Sequence, residues 1–139
     1  MIRICMWILL ALSFWGESAV AANPGPAQTA YEATRIEALV TGVEKAHGLV
    51  FIRNGSEHDG AAAAAHLRMK WKQAGSRVRT AEDFIRVCAT ESSMSGKKYQ
   101  IRFADGRLVN SADYFNAQLR RMDAAAKAAA FKPAASRPG

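Results

Sequence analysis

Cysteine is almost missing from this chain, and the shortage excludes a disulfide scaffold before anything else is read. Of two cysteines in 139 residues, Cys5 lies in an apolar N-terminal run, so a chain that sheds its N-terminus keeps one thiol and no internal disulfide. Such a fold rests on packing alone. Acidic residues are also in short supply, 12 against 19 basic ones, for a formal charge of +7. The excess favours anionic surfaces, but the basic residues are scattered, with no run interleaved with aromatics, which speaks against nucleic acid. Catalytic signatures are lacking as well. His47, His58 and His66 match neither H-E-x-x-H nor any ligand spacing with cysteines, so no metal and no cofactor is expected. The serines at 92 to 95 form no G-x-S-x-G elbow, and Gly96-Lys97 lacks the glycine, strand and helix of a Walker loop. Glu91 with Asp105 or Asp113 makes a conceivable carboxylate pair, yet nothing in the spacing sets their separation. No internal repeat is visible.

Long apolar runs are limited to one. Arg3 supplies a positive start, Ile4 to Trp15 is about a dozen mostly apolar residues, and Ala19-Val20-Ala21 gives a small-x-small site. The run is too short for a membrane span and right for a secretory signal. Residues 1–21 are therefore read as a signal peptide cleaved after Ala21, and Cys5 comes too early to be a lipidated cysteine. The mature product is expected to be exported to the periplasm, without a transmembrane segment. About 118 residues remain, enough for one domain with a core of its own. The breaker-rich Asn23-Pro-Gly-Pro26 sets residues 22–28 as an extended leader, residues 29–123 as the globular domain, and the Ala- and Pro-rich residues 124–139 as a frayed or disordered tail.

Helical periodicity dominates the domain. From Thr29 to His47, residues Ile36, Leu39, Val40, Val43 and His47 repeat at three and four positions, and Gly48 stops the helix. Leu49 to Ile52 is a short apolar extended segment closed by the turn dipeptide Asn54-Gly55. Ser56 with Asp59 reads as an N-terminal capping signal, which starts a second helix near Glu57 that runs through Leu67, Trp71 and Ala74 to Gly75. Thr80 with Asp83 starts a third in the same way, carried to about Glu91 by Ala81, Phe84, Ile85 and Cys88 on one face; Cys88 is thus a core residue. Tyr99 to Phe103 alternates, Asp105-Gly106 is a hairpin turn, and Leu108-Val109 pairs back, with Tyr99, Ile101 and Phe103 inward. A last helix, capped by Asn110 or Ser111, carries Phe115, Leu119 and Met122. The expected fold is mainly α, a four-helix single domain with a small two-stranded β-ribbon between helices 3 and 4.

Phe51-Ile-Arg-Asn-Gly55, His66-Leu-Arg-Met-Lys70, Thr80-Ala-Glu-Asp-Phe-Ile85 and Ser92-Ser-Met-Ser-Gly-Lys-Lys-Tyr99, in that order and spacing, resemble the YfeK-like family of small exported bacterial proteins. The resemblance covers about Ala33 to Met122, with Lys98 standing where the family pattern carries proline. It implies an exported protein bearing a domain of unknown function and implies no reaction.

The same motifs carry the polar chemistry. Arg53 sits on a turn, where its guanidinium either locks a connection or presents a fork to an anion. Asn54 is its neighbour in that turn. His66 and Lys70 share one helix face at i, i+4, and such a pair wants a neutral histidine, an acidic neighbour or a bound anion. Ser92, Ser93, Ser95 and Gly96 have the composition of an anion nest, or simply of a helix C-terminal cap. Arg53, Asn54, His66, Lys70, Ser92, Ser93, Ser95 and Gly96 are the candidate binding residues, with no catalytic residue assigned. They suit a non-enzymatic binding or accessory module with an anion-favouring patch, whose partner is an envelope protein, a glycan or an anionic lipid. The alternative is a small periplasmic hydrolase in which His66 serves as base to a serine of the 92–95 loop.

Overall fold

The computed structural model describes residues 25–131. The expected signal peptide (1–21), the start of the leader and residues 132–139 lie outside the described residues. The first helix, α1 (Pro26–Glu44), opens on a proline at a position whose missing N–H costs nothing, so it takes in residues 26–28, expected as extended leader. It buries Ile36, Leu39, Val40 and Val43 and ends before His47, which lies beyond the helix.

Strand β1 (Val50–Arg53) and strand β2 (Ser56–His58) form a hairpin over Asn54 and Gly55, both at positive φ, 52° and 85°. Two left-handed residues in a two-residue loop match the right-handed twist of the strands they join. The cap assigned to Ser56 therefore moves on. Asp59 is the residue that caps the second helix, α2 (Gly60–Ala74), its Oδ1 accepting from the Ala62 N–H at 2.8 Å. Gly60 makes this start possible, because a Cβ there would lie 2.4 Å from the Val43 carbonyl oxygen at the end of α1. A side chain at 60 would prise the two helices apart.

A 3-10 turn (Gly75–Arg77) leads to α3 (Ala81–Phe84), capped by the Thr80 side chain as expected. α3 widens into a π-helical turn over Ile85–Ala89, closed by Thr90 Oγ1 donating to the Ile85 carbonyl at 2.8 Å. Glu91 lies past it, in an isolated bridge with Lys98. Strands β3 (Gln100–Arg102) and β4 (Leu108–Asn110) follow, and α4 (Ser111–Phe131) extends through residues 124–131, which were expected to fray.

The expected ribbon is half of a larger sheet, and this corrects the fold class. All neighbours are antiparallel in the order β2-β1-β3-β4, with Phe51 paired to His58 on one side and Ile101 on the other. The protein is a mixed helix-and-sheet fold, not a mainly helical one. Two properties hid the sheet. β2 is the polar tripeptide Ser-Glu-His, made a strand by its turn rather than by alternation, and β1 finds its second partner about fifty residues away, which no local pattern announces. One face of the sheet, through Phe51 and Ile101, meets the helical core of Ile36, Val40, Phe84 and Phe115. Phe84 anchors that core with edge-on contacts to Trp71 and Phe115 at centroid distances of 6.0 and 6.5 Å. Cys88 is fully buried there, and burial pushes its thiol pKa up, so it is an inert packing group.

Candidate functional site

Pleating sends Arg53 to the same sheet face as Phe51, and therefore toward α2. On α2 the i, i+4 spacing presents His66 and Lys70 one above the other. The sheet supplies the third member: β1 pairs with β3, and Tyr99, just before β3, comes under the helix. Arg53 Nη1 donates to His66 Nδ1 at 2.6 Å, and the ring's Nε2 lies 3.2 Å from the Tyr99 hydroxyl. Because a guanidinium has no acceptor, Nδ1 must be the unprotonated nitrogen, which leaves Nε2–H to donate to tyrosine. Lys70 Nζ donates to the Glu91 carbonyl at 2.7 Å and to the same hydroxyl at 3.4 Å, and lies 4.9 Å from the Tyr99 ring centroid.

Asn54 and the serine loop close the cluster from the other side. Ser92 is buried beside Tyr99. Its Oγ accepts from Asn54 Nδ2 at 3.5 Å, while Ser95 Oγ donates to Asn54 Oδ1 at 2.7 Å. Arg53, Asn54, His66, Lys70, Ser92 and Ser95 are thus brought into one network. Ser93 is exposed and outside it. Gly96, at φ +67°, shapes the loop, and its N–H is spent on the Ser92 carbonyl at 2.8 Å. The N–H groups of Ser92, Ser95 and Lys97 are likewise used inside the loop. Tyr99 is the functional residue that sequence reading missed. Alternation placed it inward, and a buried phenol needs a partner for its hydroxyl, but the partner's identity depended on the β1–β3 pairing.

The charges in the cluster are positive, and Glu91 is an acid that Lys70 feels through space without pairing with it. Among the described residues, no carboxylate lies within ion-pair distance of Arg53 or of Lys70, which is 8% exposed. Burial, then the positive charges of Arg53 and Lys70, lowers the His66 pKa to about 4, so the ring is neutral at neutral pH. Burial also lowers the Lys70 pKa and raises that of Tyr99. Beside the cluster lies a cleft of about 50 Å³, lined by Arg53, His66 and Tyr99 together with Gln100, Ser111, Ala63, Leu67 and Phe115. His58 also lines it, and its Nε2 is buried with no hydrogen-bond partner.

His66 is engaged by Arg53 and Tyr99, with no serine hydroxyl bonded to it among the described residues. Nor do the described residues hold a group of three metal-ligating side chains, or a helix long and apolar enough to cross a membrane.

Fold and site together define a small helix-and-sheet protein that gathers two cations and a neutral histidine around one buried tyrosine. The chain belongs to a family of unknown function (DUF5329), whose model matches residues 30–123. It is similar to the "Uncharacterized protein YfeK" of Salmonella typhimurium, 40% identical over 70 residues, which are 50% of this chain and 58% of that protein. The chain thus spans little more than half of that relative's length. The four motifs from Phe51 to Tyr99 pointed to the same family. No solved structure matches.

Proposed function

We propose that this is an exported cell-envelope protein that binds rather than transforms, holding an anionic group of an envelope protein, glycan or lipid at the Arg53, His66 and Lys70 cluster. One observation carries the reading: two cations, one of them buried, converge on Tyr99, and among the described residues no carboxylate is paired with either. A buried charge without a counter-ion is costly, and an incoming anion repays part of that cost. The neutral His66 keeps a third charge out of the cluster and holds the Arg53 fork in place. Residues 1–21 supply the export signal, and the +7 charge suits an acidic envelope surface.

The test is thermal unfolding of the chain from Ala22 onward in sulfate or phosphate, against chloride at equal ionic strength. Anion binding raises the melting temperature by mass action beyond general salt exclusion, and Arg53→Ala removes the excess. Equal stabilisation of wild type and variant would reduce the cluster to scaffolding.

A further inference from the structure

We infer that His58 is a second binding residue for the anion, which sits between the Arg53 guanidinium and His58 Nε2 in the cleft that both side chains line. This deepens the anion-binding reading and rests on it.

Strand register brings the two side chains together. His58 pairs with Phe51 across the β1–β2 hairpin, and cross-strand partners project from the same face of a sheet. Arg53 stands two residues along β1 from Phe51, so pleating returns it to that face. His58 and Arg53 are therefore diagonal neighbours, a spacing of about 7–8 Å that side chains as long as arginine reach across. Both line the cleft, together with His66 of α2. His58 is also near enough for its charge to be among the causes that lower the His66 pKa.

A nitrogen without a partner gives His58 its role. Of the residues lining the cleft, Gln100 and Ser111 included, His58 alone carries a polar side-chain atom, Nε2, that is buried and unbonded among the described residues. Such an atom has given up water without compensation, a cost that a bond to a ligand removes. A neutral imidazole carries its proton on either nitrogen, so Nε2–H is open to donate to an oxygen of an anion. His66 cannot supply that donor, because its Nδ1 accepts from Arg53 and its Nε2 is turned to Tyr99. Arg53 can supply the other: among the described residues its guanidinium bonds His66 alone, through Nη1, which leaves Nη2 to donate. The shared chemistry is that of an oxyanion, free in solution or carried on a larger molecule.

Titration calorimetry with inorganic phosphate at constant ionic strength, on wild type, His58→Gln, His58→Asn and His58→Leu, separates this contact from a structural role. The glutamine amide reaches to where Nε2 lies, the asparagine amide only to where Nδ1 lies, and leucine has no donor. Phosphate should bind His58→Leu and His58→Asn about tenfold more weakly than wild type, the worth of one hydrogen bond to a charged group, and His58→Gln nearly as tightly as wild type. In chloride, His58→Leu should melt no lower than wild type, because it loses an unsatisfied atom and no bond. If His58→Leu fails to fold, His58→Asn against His58→Gln decides by itself. Methyl phosphate binding as well as inorganic phosphate would identify a carried anion as the source, and inorganic phosphate binding alone a free ion; both outcomes support the inference. Wild-type affinity in His58→Leu and His58→Asn, or a loss in His58→Gln as large as theirs, overturns the inference, and spares the anion reading as long as Arg53→Ala abolishes binding. Absence of any Arg53-dependent binding overturns both.

Discussion

The corner where α1, α3 and α4 meet and the corner where α2 meets the sheet each hold a partly buried arginine, and they treat it in opposite ways. Arg35, in the first, donates from Nη1 to Glu32 at 2.9 Å and from Nη2 to Asp123 at 2.7 Å and Glu82 at 3.2 Å. Burial alone would lower its pKa, but the bonds to Asp123, Glu82 and Glu32 outweigh it and leave the pKa raised. Glu32 is buried and also accepts the Ala81 N–H at 2.9 Å, so it holds the first turn of α3 against α1. Arg53, in the second corner, has a neutral histidine for its partner and, among the described residues, no acid. An arginine ringed by carboxylates is a strut joining helices, whereas one bound only to neutral groups retains charge for something outside the chain.

The comparison breaks most plainly at the struts. Arg35→Met should destabilise the protein by about 3 kcal/mol, since it leaves the buried Glu32 carboxylate without its cation, whereas Arg53→Met should cost less than about 1 kcal/mol. Urea unfolding at pH 7 measures both. Equal costs would mean that Arg53 is a strut too.

Acid sharpens the contrast next. The folded His66 pKa of about 4 lies below the ordinary 6.5, so between those values the unfolded chain binds a proton that the folded one refuses. The stability linked to His66 is full above about pH 6.5 and is lost as pH falls toward 4. After allowance for solvent screening at this partly buried ring, the loss is about 1–2 kcal/mol. Other groups also respond to acid, so the informative quantity is the difference between wild type and His66→Gln in urea unfolding at pH 7 and pH 4.5. A variant that loses as much stability as wild type would contradict a neutral His66.

The smallest effect is expected at Lys70. Replacing this poorly compensated buried ammonium by methionine removes its desolvation cost together with its bond to the Glu91 carbonyl. Lys70→Met should therefore unfold within about 1 kcal/mol of wild type, while weakening the sulfate response. Destabilisation well beyond that would make Lys70 a structural tie to the end of α3 instead.

Much of the scaffold was readable in the order of residues. The stripe from Ile36 to Val43, the Thr80 cap, the Asp105-Gly106 hairpin and the burial of Cys88 all follow from contacts between residues three, four or a few positions apart, which chain order itself specifies. Where local signals competed, reading alone chose wrongly. Ser56 and Asp59 looked like one cap, yet Asn54-Gly55 is a tight turn that makes a strand of Ser56–His58 and leaves the cap to Asp59 alone. The candidate residues were likewise legible as types, but their meeting depends on the sheet; the loop at 92–96 reaches Asn54 because β1 lies beside β3.

By itself, the sequence determined the helical segments, the residues of the core, the absence of an internal disulfide in any chain that sheds Cys5, the family and the cations available for binding. Each of these depends on residue identity or on short-range periodicity. Only the tertiary structure decided that the ribbon is half of a four-stranded sheet, that Tyr99 joins His66 to Lys70, and that carboxylates gather at Arg35 and not at Arg53. Strand pairing and charge neutralisation join groups about thirty to ninety residues apart, and no period along the chain encodes which distant partner a backbone edge or a guanidinium will meet.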